Sequence, residues 1–147
     1  LDTGPLPLLL KSDAELWLDG GHNPAAGQVL AQTLADIEEK SSKPLYLIVG
    51  MMGLKDAAGF LAPFRGLARH VITVPIPGAH EAPYLPDRLA AVAVGAGLEA
   101  EEAAGIEAAL KRADTLRAGP KRILICGSLY LAGHVLSLQT GVVQQSN

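Results

Sequence analysis

Short apolar runs alternate with helical patterns along the chain, and glycine, proline or polar residues separate them. Continuous apolar runs are typical of strands covered on both faces, whereas apolar residues spaced three and four apart are typical of amphipathic helices. The predicted strands span residues 6–10, 14–18, 45–49, 70–76, 98–102 and 123–126. The predicted helices span residues 24–40, 56–68 with an interruption at Pro63, 86 to about 95–97, 106–116 and 129–138.

This alternation predicts the fold class. We expect an α/β, Rossmann-like doubly wound sheet of about six mostly parallel strands, joined by right-handed crossovers, in a single domain over residues 1–147. The runs at 6–10 and 14–18 flank a short polar link, which is typical of a hairpin. The first strand is therefore expected to lie antiparallel at a sheet edge, where Pro5 and Pro7 are tolerated.

The composition excludes several classes of protein. The chain is 49% hydrophobic and 18% charged over 147 residues, which indicates a globular domain with a full core. A net charge of −3 without a basic run argues against a nucleic-acid partner. The single cysteine, Cys126, indicates a reducing compartment, so we expect the cytoplasm. No apolar run approaches the roughly 20 residues of a membrane span.

The chemistry begins where the apolar run at 14–18 ends. Asn23 is a preferred helix N-cap and Pro24 is favoured at the first helical position, so a helix should start there. Asp19 and His22 then lie in a strand-to-helix loop at the carboxyl end of a strand, where ligands bind in parallel sheets. The start of the helix favours an anion at the same place.

Two more loops should meet at this edge, residues 50–56 with Lys55 and residues 127–128 with Ser128. Each combines glycine with a polar side chain, so a ligand can approach the backbone N–H groups closely. One such loop alone is as compatible with an ordinary capped turn as with a site. Three together favour a binding site.

Other chemistries have weaker support. The chain has no G-x-x-x-x-G-K-[ST] loop and no G-x-G-x-x-G after a strand, so it should not build a nucleotide site alone. Its histidines lack the spacing of metal ligands on a helix face, and we expect no metal site. A triad of Ser128, His22 and Asp19 is a minor alternative. It lacks the G-x-S-x-G elbow, and Asp19 is too near His22 in sequence to imply a relay.

Two signatures resemble a known family. Residues 18–24, L-D-G-G-H-N-P, resemble the L-D-G-A-H-N-P signature of the carboxy-terminal domain of folylpolyglutamate synthases and bifunctional dihydrofolate synthases. Residues 126–133, C-G-S-L-Y-L-A-G, are similar to the second signature, C-G-S-L-Y-L-x-G. Lys55-Asp56 matches the K-D of an intermediate loop, although residues 52–54 depart from the usual Asp before that pair.

The resemblance implies a Mur-ligase-like enzyme. Such enzymes use ATP and Mg to convert a carboxylate into an acyl phosphate, which the amine of L-glutamate attacks. A larger amino-terminal domain carries the P-loop, the magnesium sites and most of the folate pocket, while the carboxy-terminal domain helps to bind glutamate and nucleotide. The roles that the resemblance implies are catalytic for His22 and Asp19, and substrate- or nucleotide-binding for Asp19, His22, Asn23, Lys55 and Ser128.

Because most of that machinery is missing and the chain starts at Leu1, we expect a fragment of a longer protein that is inactive alone. Its partners would be the amino-terminal P-loop domain, L-glutamate, folate and ATP. A Mur-type peptidoglycan-precursor ligase domain and a non-catalytic small-molecule-binding module stay open as alternatives. The C-G-S-L-Y-L stretch favours the folate ligases. Whether dihydropteroate, folate or both are substrates is left open.

Overall fold

The computed structural model describes residues 14–79 and 81–140. Strands and helices alternate along it, with a short 3₁₀ turn, Ala62–Phe64, after the second helix. The strands are β1 (Ala14–Leu18), β2 (Leu45–Val49), β3 (Ala68–Thr73), β4 (Ala100–Glu102) and β5 (Lys121–Cys126). The helices are α1 (Pro24–Lys40), α2 (Ala57–Leu61), α3 (Pro86–Gly95), α4 (Ile106–Leu116) and α5 (Leu129–Thr140).

The sheet is doubly wound. Within the described residues it has five strands in the order β1-β5-β2-β3-β4, and every pair is parallel. The chain steps from β1 through β2 and β3 to β4 and then returns to insert β5 between β1 and β2. Right-handed crossovers put the helices of the outward and return paths on opposite faces. The predicted α/β class is confirmed.

Alternating side chains of the strands form two cores. On β2, Tyr46 and Ile48 pack with residues of α4 and α5 on one face. Leu45, Leu47 and Val49 pack with residues of α1, α2 and α3 on the other. All five residues of β2 are buried, as expected of a central strand covered on both faces.

The part of the chain that the structure describes has neither the predicted antiparallel edge strand nor a sixth strand. The run at 6–10, which was to pair antiparallel with β1, lies outside the described residues. β1 pairs in parallel with β5, with Ala14 opposite Lys121 and Leu18 opposite Ile125. A local hairpin pattern indicates that a strand exists, but it carries no information on a partner about a hundred residues away.

Two elements end earlier than predicted, and proline accounts for both ends. The helix expected over 56–68 ends at Leu61 and tightens into the 3₁₀ turn, because Pro63 has no N–H to continue the α-helical ladder. β3 starts earlier than predicted, at Ala68, and ends at Thr73 rather than at residue 76. The Val74 amide still donates to the Val49 carbonyl oxygen at 2.9 Å. Pro75 has no N–H, so it cannot extend the pairing.

Buried charges lie at the amino ends of the central strands. Arg122 is 1% exposed, and its guanidinium donates to Glu15 Oε2 at 3.0 Å and to the Ser41 carbonyl oxygen at 3.1 Å. Lys43 Nζ lies 2.6 Å from Glu15 Oε1. Because strand direction separates this cluster from the carboxyl edge, it supports the fold and not the candidate site.

Among the residues that the structure describes, no helix combines the length and the apolar character that a membrane span requires.

Candidate functional site

The loops after β1, β5 and β2 meet at the carboxyl edge of the sheet, as predicted. The Gly127 amide donates to the Gly21 carbonyl oxygen at 3.1 Å, which joins the loop after β5 to the loop after β1. The Gly50 amide donates to the Cys126 carbonyl oxygen at 3.3 Å, which joins the loop after β2 to the end of β5. Because β5 lies between β1 and β2, these loops are neighbours in space despite their separation in sequence.

Gly127 makes this junction possible. Its φ is +105°, a conformation that side chains rarely adopt, and an added Cβ would lie 2.7 Å from the Gly50 carbonyl oxygen. The close approach of the two loops therefore requires glycine at this position.

A cavity of about 250 Å³ opens between the loops. It brings together three of the predicted site residues, His22, Lys55 and Ser128. Asp19 and Asn23 do not line it. The other lining residues are Met52, Glu81, Gly127, Leu129 and Tyr130.

The backbone fixes the hydrogen-bonding state of His22. Its Nδ1 lies 3.1 Å from the carbonyl oxygen of Gly20, which can only accept, so Nδ1 carries the hydrogen. The neutral ring therefore offers Nε2 to a ligand as an acceptor. It donates through Nε2 only when it is protonated.

Ser128 is 2% exposed and caps α5. Its Oγ accepts hydrogen bonds from the amides of Tyr130 at 3.0 Å and Leu131 at 3.4 Å, the N-cap arrangement. The hydroxyl hydrogen is left for donation. The cavity thus receives this hydroxyl together with the positive end of the α5 dipole.

Lys55 is held at the cavity through its backbone. The Tyr84 hydroxyl donates to the Lys55 carbonyl oxygen at 3.2 Å, and the Tyr84 amide donates to the Met51 carbonyl oxygen at 2.8 Å. The Gly53 amide donates to the Ala82 carbonyl oxygen at 3.0 Å. Residues 82–84 therefore form a short antiparallel clamp on the loop that carries Lys55.

Asp19 and Asn23 shape the first loop. Asp19 Oδ1 accepts from the Gly21 amide at 2.7 Å, and Asn23 Oδ1 accepts from the Ala26 amide at 2.8 Å. The second bond is the N-cap of α1, so the predicted start of that helix is confirmed. A binding role for these two residues stays a prediction.

The triad alternative does not fit these contacts. His22 Nδ1 bonds to Gly20 rather than to Asp19, and Asp19 bonds to Gly21. Cys126 is no alternative nucleophile, because burial, reinforced by the negative charge of Asp19, raises the pKa of its thiol far above the ordinary value.

Sequence reasoning did not single out two cavity residues, Met52 in the predicted loop over residues 50–56 and Glu81 in the irregular stretch after β3. Met52 was visible only as an apolar loop residue, and its bridge with Pro83 comes from the clamp. Glu81 lies in an irregular stretch without a local motif, so its place at the cavity depends on long-range backbone pairing. It also borders a second cavity of about 490 Å³, lined mainly by apolar side chains.

Metal ligation has no support in this part of the molecule. The described residues contain no group of three or more His, Cys, Asp or Glu side chains that could hold a metal ion.

These features define an α/β domain with a small cavity, lined by polar and charged side chains, at the carboxyl edge of a parallel sheet. The chain belongs to the Mur ligase family, since residues 9–129 match its glutamate ligase domain. The family resemblance of the two signatures is thereby confirmed. A comparison with curated protein sequences gave no match.

Solved structures agree on the fold. A ligand-free bifunctional folylpolyglutamate synthase/dihydrofolate synthase from Yersinia pestis is 27% identical, with a TM-score of 0.68 over 90% of this chain and 31% of that one. The same enzyme complexed with AMPPNP and Mn ion is 26% identical, with a TM-score of 0.65 over 90% and 31%. A Mycobacterium tuberculosis folylpolyglutamate synthase complexed with ADP and AMPPCP is 23% identical, with a TM-score of 0.69 over 90% and 30%. The chain thus spans about a third of the length of these proteins.

Proposed function

We propose that this chain is the amino-acid-binding part of an ATP-dependent ligase that joins L-glutamate to folates or to dihydropteroate. The observation that carries the proposal is the cavity shared by His22, Lys55 and Ser128 at the start of α5. A cation, a hydroxyl donor and a helix N-terminus together favour a carboxylate ligand. The family match and the names of the solved relatives support glutamate as that ligand.

The proposed reaction assigns His22 a proton-accepting role. When the glutamate amine attacks an acyl phosphate, a C–N bond forms, the C–O bond to phosphate breaks, and phosphate leaves with that electron pair. The attacking nitrogen must also lose a proton. Because Nδ1 already donates to Gly20, the Nε2 lone pair of neutral His22 is available to take it.

ATP and Mg²⁺ belong to the proposed activity, but we assign them mainly to the amino-terminal P-loop domain of the full-length protein. The solved relatives that contain nucleotide or Mn ion are about three times as long as this chain. The sequence here has no phosphate-cradling loop, and the described residues have no metal-binding cluster. We therefore expect the isolated chain neither to hydrolyse ATP nor to ligate glutamate. Its free thiol, Cys126, fits the expected cytoplasmic location.

The test uses the full-length protein that carries this domain, with ATP-dependent incorporation of labelled L-glutamate into folate as the readout. His22→Ala should lower turnover by about 10²-fold or more, the usual contribution of a positioned general base. His22→Gln distinguishes a hydrogen-bonding role from a proton-accepting role. The glutamine amide can hydrogen-bond but cannot take up the proton, so the His22→Gln enzyme should be as slow as His22→Ala if His22 is the base.

Asn23→Ala is the neighbouring control. It removes the α1 cap, so it should cost about 1 kcal/mol of stability, and it should lower turnover much less than His22→Ala does. Near-normal turnover for His22→Ala would leave His22 a structural residue.

Glutamate incorporation by the isolated chain would overturn the assignment of ATP and Mg²⁺ binding to the amino-terminal domain. Ligation to a peptidoglycan precursor instead of folate would favour the Mur-type alternative, and binding without any ligation would favour a non-catalytic module.

A further inference from the structure

Two opposite charges line the cavity without neutralising each other. Lys55 contributes an ammonium group, and Glu81 contributes the only carboxylate among the described residues that line the cavity. Within residues 14–79 and 81–140, these two side chains form no ion pair with each other and none with another residue. Both are exposed to solvent at the cavity.

The fold keeps both residues at this place. The Glu81 backbone immediately precedes the clamp, whose bonds from Gly53 to Ala82 and from Tyr84 to Met51 join it to the loop that carries Lys55. The Tyr84 hydroxyl secures the same loop through the Lys55 carbonyl oxygen. Because several backbone hydrogen bonds join the two segments, both charged residues border the same cavity.

We infer that Glu81 binds the α-ammonium group of the incoming amino acid and makes the cavity selective for a zwitterion over a plain dicarboxylate. Lys55, the Ser128 hydroxyl and the α5 N-terminus attract the carboxylates. A ligand without an ammonium group leaves the Glu81 carboxylate facing a second anion, which is unfavourable. This inference rests on the proposed function, since it identifies a determinant of amino-acid selectivity at the same site.

Glu81 and His22 then serve different steps. The carboxylate binds the substrate as an ammonium ion, which loses one proton to solvent to become the nucleophilic amine. After the amine attacks, its second proton leaves to His22 Nε2. Glu81 is thus expected to determine binding of the amino acid, and His22 the rate of the chemical step.

The test is steady-state kinetics of the full-length protein with L-glutamate as substrate and glutarate, which lacks the amine, as competitive inhibitor. Glu81→Gln should raise the KM for L-glutamate about tenfold or more, because it removes a charge-assisted hydrogen bond. The kcat should change much less. The Ki of glutarate should stay the same or fall, because a repulsive charge has been removed.

Matched variants distinguish binding of the ammonium group by Glu81 from a general effect of removing a negative charge. Glu102→Gln makes the same charge change at an exposed position on β4, at the far edge of the sheet. It should change neither the KM for L-glutamate nor the Ki of glutarate. Lys55→Met should weaken L-glutamate and glutarate alike. Equal weakening of both ligands by Glu81→Gln, or no change in either, would overturn the inference. A wild-type protein that incorporates no L-glutamate at all would instead overturn the proposed function.

Discussion

The Gly127 amide and the Gly21 carbonyl oxygen form a 3.1 Å hydrogen bond that joins the two signature loops across the sheet edge. The loops start from adjacent strands, β1 and β5, whose residues are about a hundred positions apart in sequence. This bond places the His22 loop beside the start of α5. The position of His22 relative to Ser128 therefore depends on this tight backbone junction.

Gly127→Ala should destabilise the fold by more than the conformational cost alone. The residue has a φ of +105°, and an added Cβ would lie 2.7 Å from the Gly50 carbonyl oxygen. We expect a loss of about 3 kcal/mol or more in the free energy of unfolding, measured by urea denaturation. Gly119→Ala is the control, because its φ is +100° with no atom within 4 Å of the added Cβ. It should lose only about 1–2 kcal/mol. Equal losses would show that the junction tolerates a methyl group.

Gly27→Ala should also destabilise the protein, although alanine is generally favoured over glycine within a helix. Gly27 is buried within α1, where alanine is normally better than glycine by about 1 kcal/mol. Here an added Cβ would clash with the backbone carbonyl of Phe60 in α2. Thermal melting should therefore show a lower Tm.

Gly95→Ala is the matched comparison for Gly27→Ala. It lies at the end of α3, with nothing within 4 Å of the added Cβ, and should leave Tm unchanged or raise it. A higher Tm for Gly27→Ala would mean that α1 and α2 can separate at little cost.

Local signals account for what the sequence predicted well. Asn23 and Pro24 fix the start of α1 through contacts within one turn, so its predicted bounds are confirmed. The glycine and polar residues at three strand ends predicted the shared edge, because parallel strands all end on the same side. His22, Lys55 and Ser128 were found for that reason.

Long-range pairing accounts for the features that the sequence did not predict. The parallel partner of β1 follows from the insertion of β5 between β1 and β2, which no local pattern around residue 14 encodes. Glu81 reaches the cavity only because residues 82–84 pair with the loop after β2. The tautomer of His22 likewise depends on the direction of one carbonyl group, that of Gly20.

Cys126 should resist thiol reagents in the folded protein. It is 1% exposed at the end of β5, and burial raises the pKa of its thiol well above the ordinary value. We expect little reaction with a disulfide reagent such as 5,5′-dithiobis(2-nitrobenzoate) at pH 8, and full reaction after addition of guanidinium chloride. Rapid labelling of the folded protein would show that the β5 end opens readily.

Glu15→Gln should make the protein less stable at neutral pH, and the difference from wild type should shrink in acid. The hydrogen bond from Lys43, aided by Arg122 and opposed by partial burial, lowers the pKa of Glu15 from 4.5 to about 2. A carboxyl group with a lowered pKa in the folded state stabilises the protein above its unfolded-state pKa, and this contribution is lost as the pH falls from about 4.5 toward 2. Glu15 is 38% exposed, so solvent screens its ion pairs and we expect a loss of about 1–2 kcal/mol at pH 7.

The difference between variant and wild type at each pH is the quantity to measure, by urea denaturation from pH 7 to pH 2. Glu38 and Glu101 also have lowered pKa values, so acid weakens the wild-type protein for several reasons at once. Subtraction removes the contribution of Glu101 and leaves the effect of Glu15, together with any change at Glu38, which contacts the same Arg122. Glu102→Gln, at an exposed position on β4, should leave the free energy of unfolding nearly unchanged at pH 7. A Glu15→Gln deficit of the same size at both ends of the pH range would mean that the side chain acts through its shape and neutral hydrogen bonds, and not through its charge beside Arg122 and Lys43.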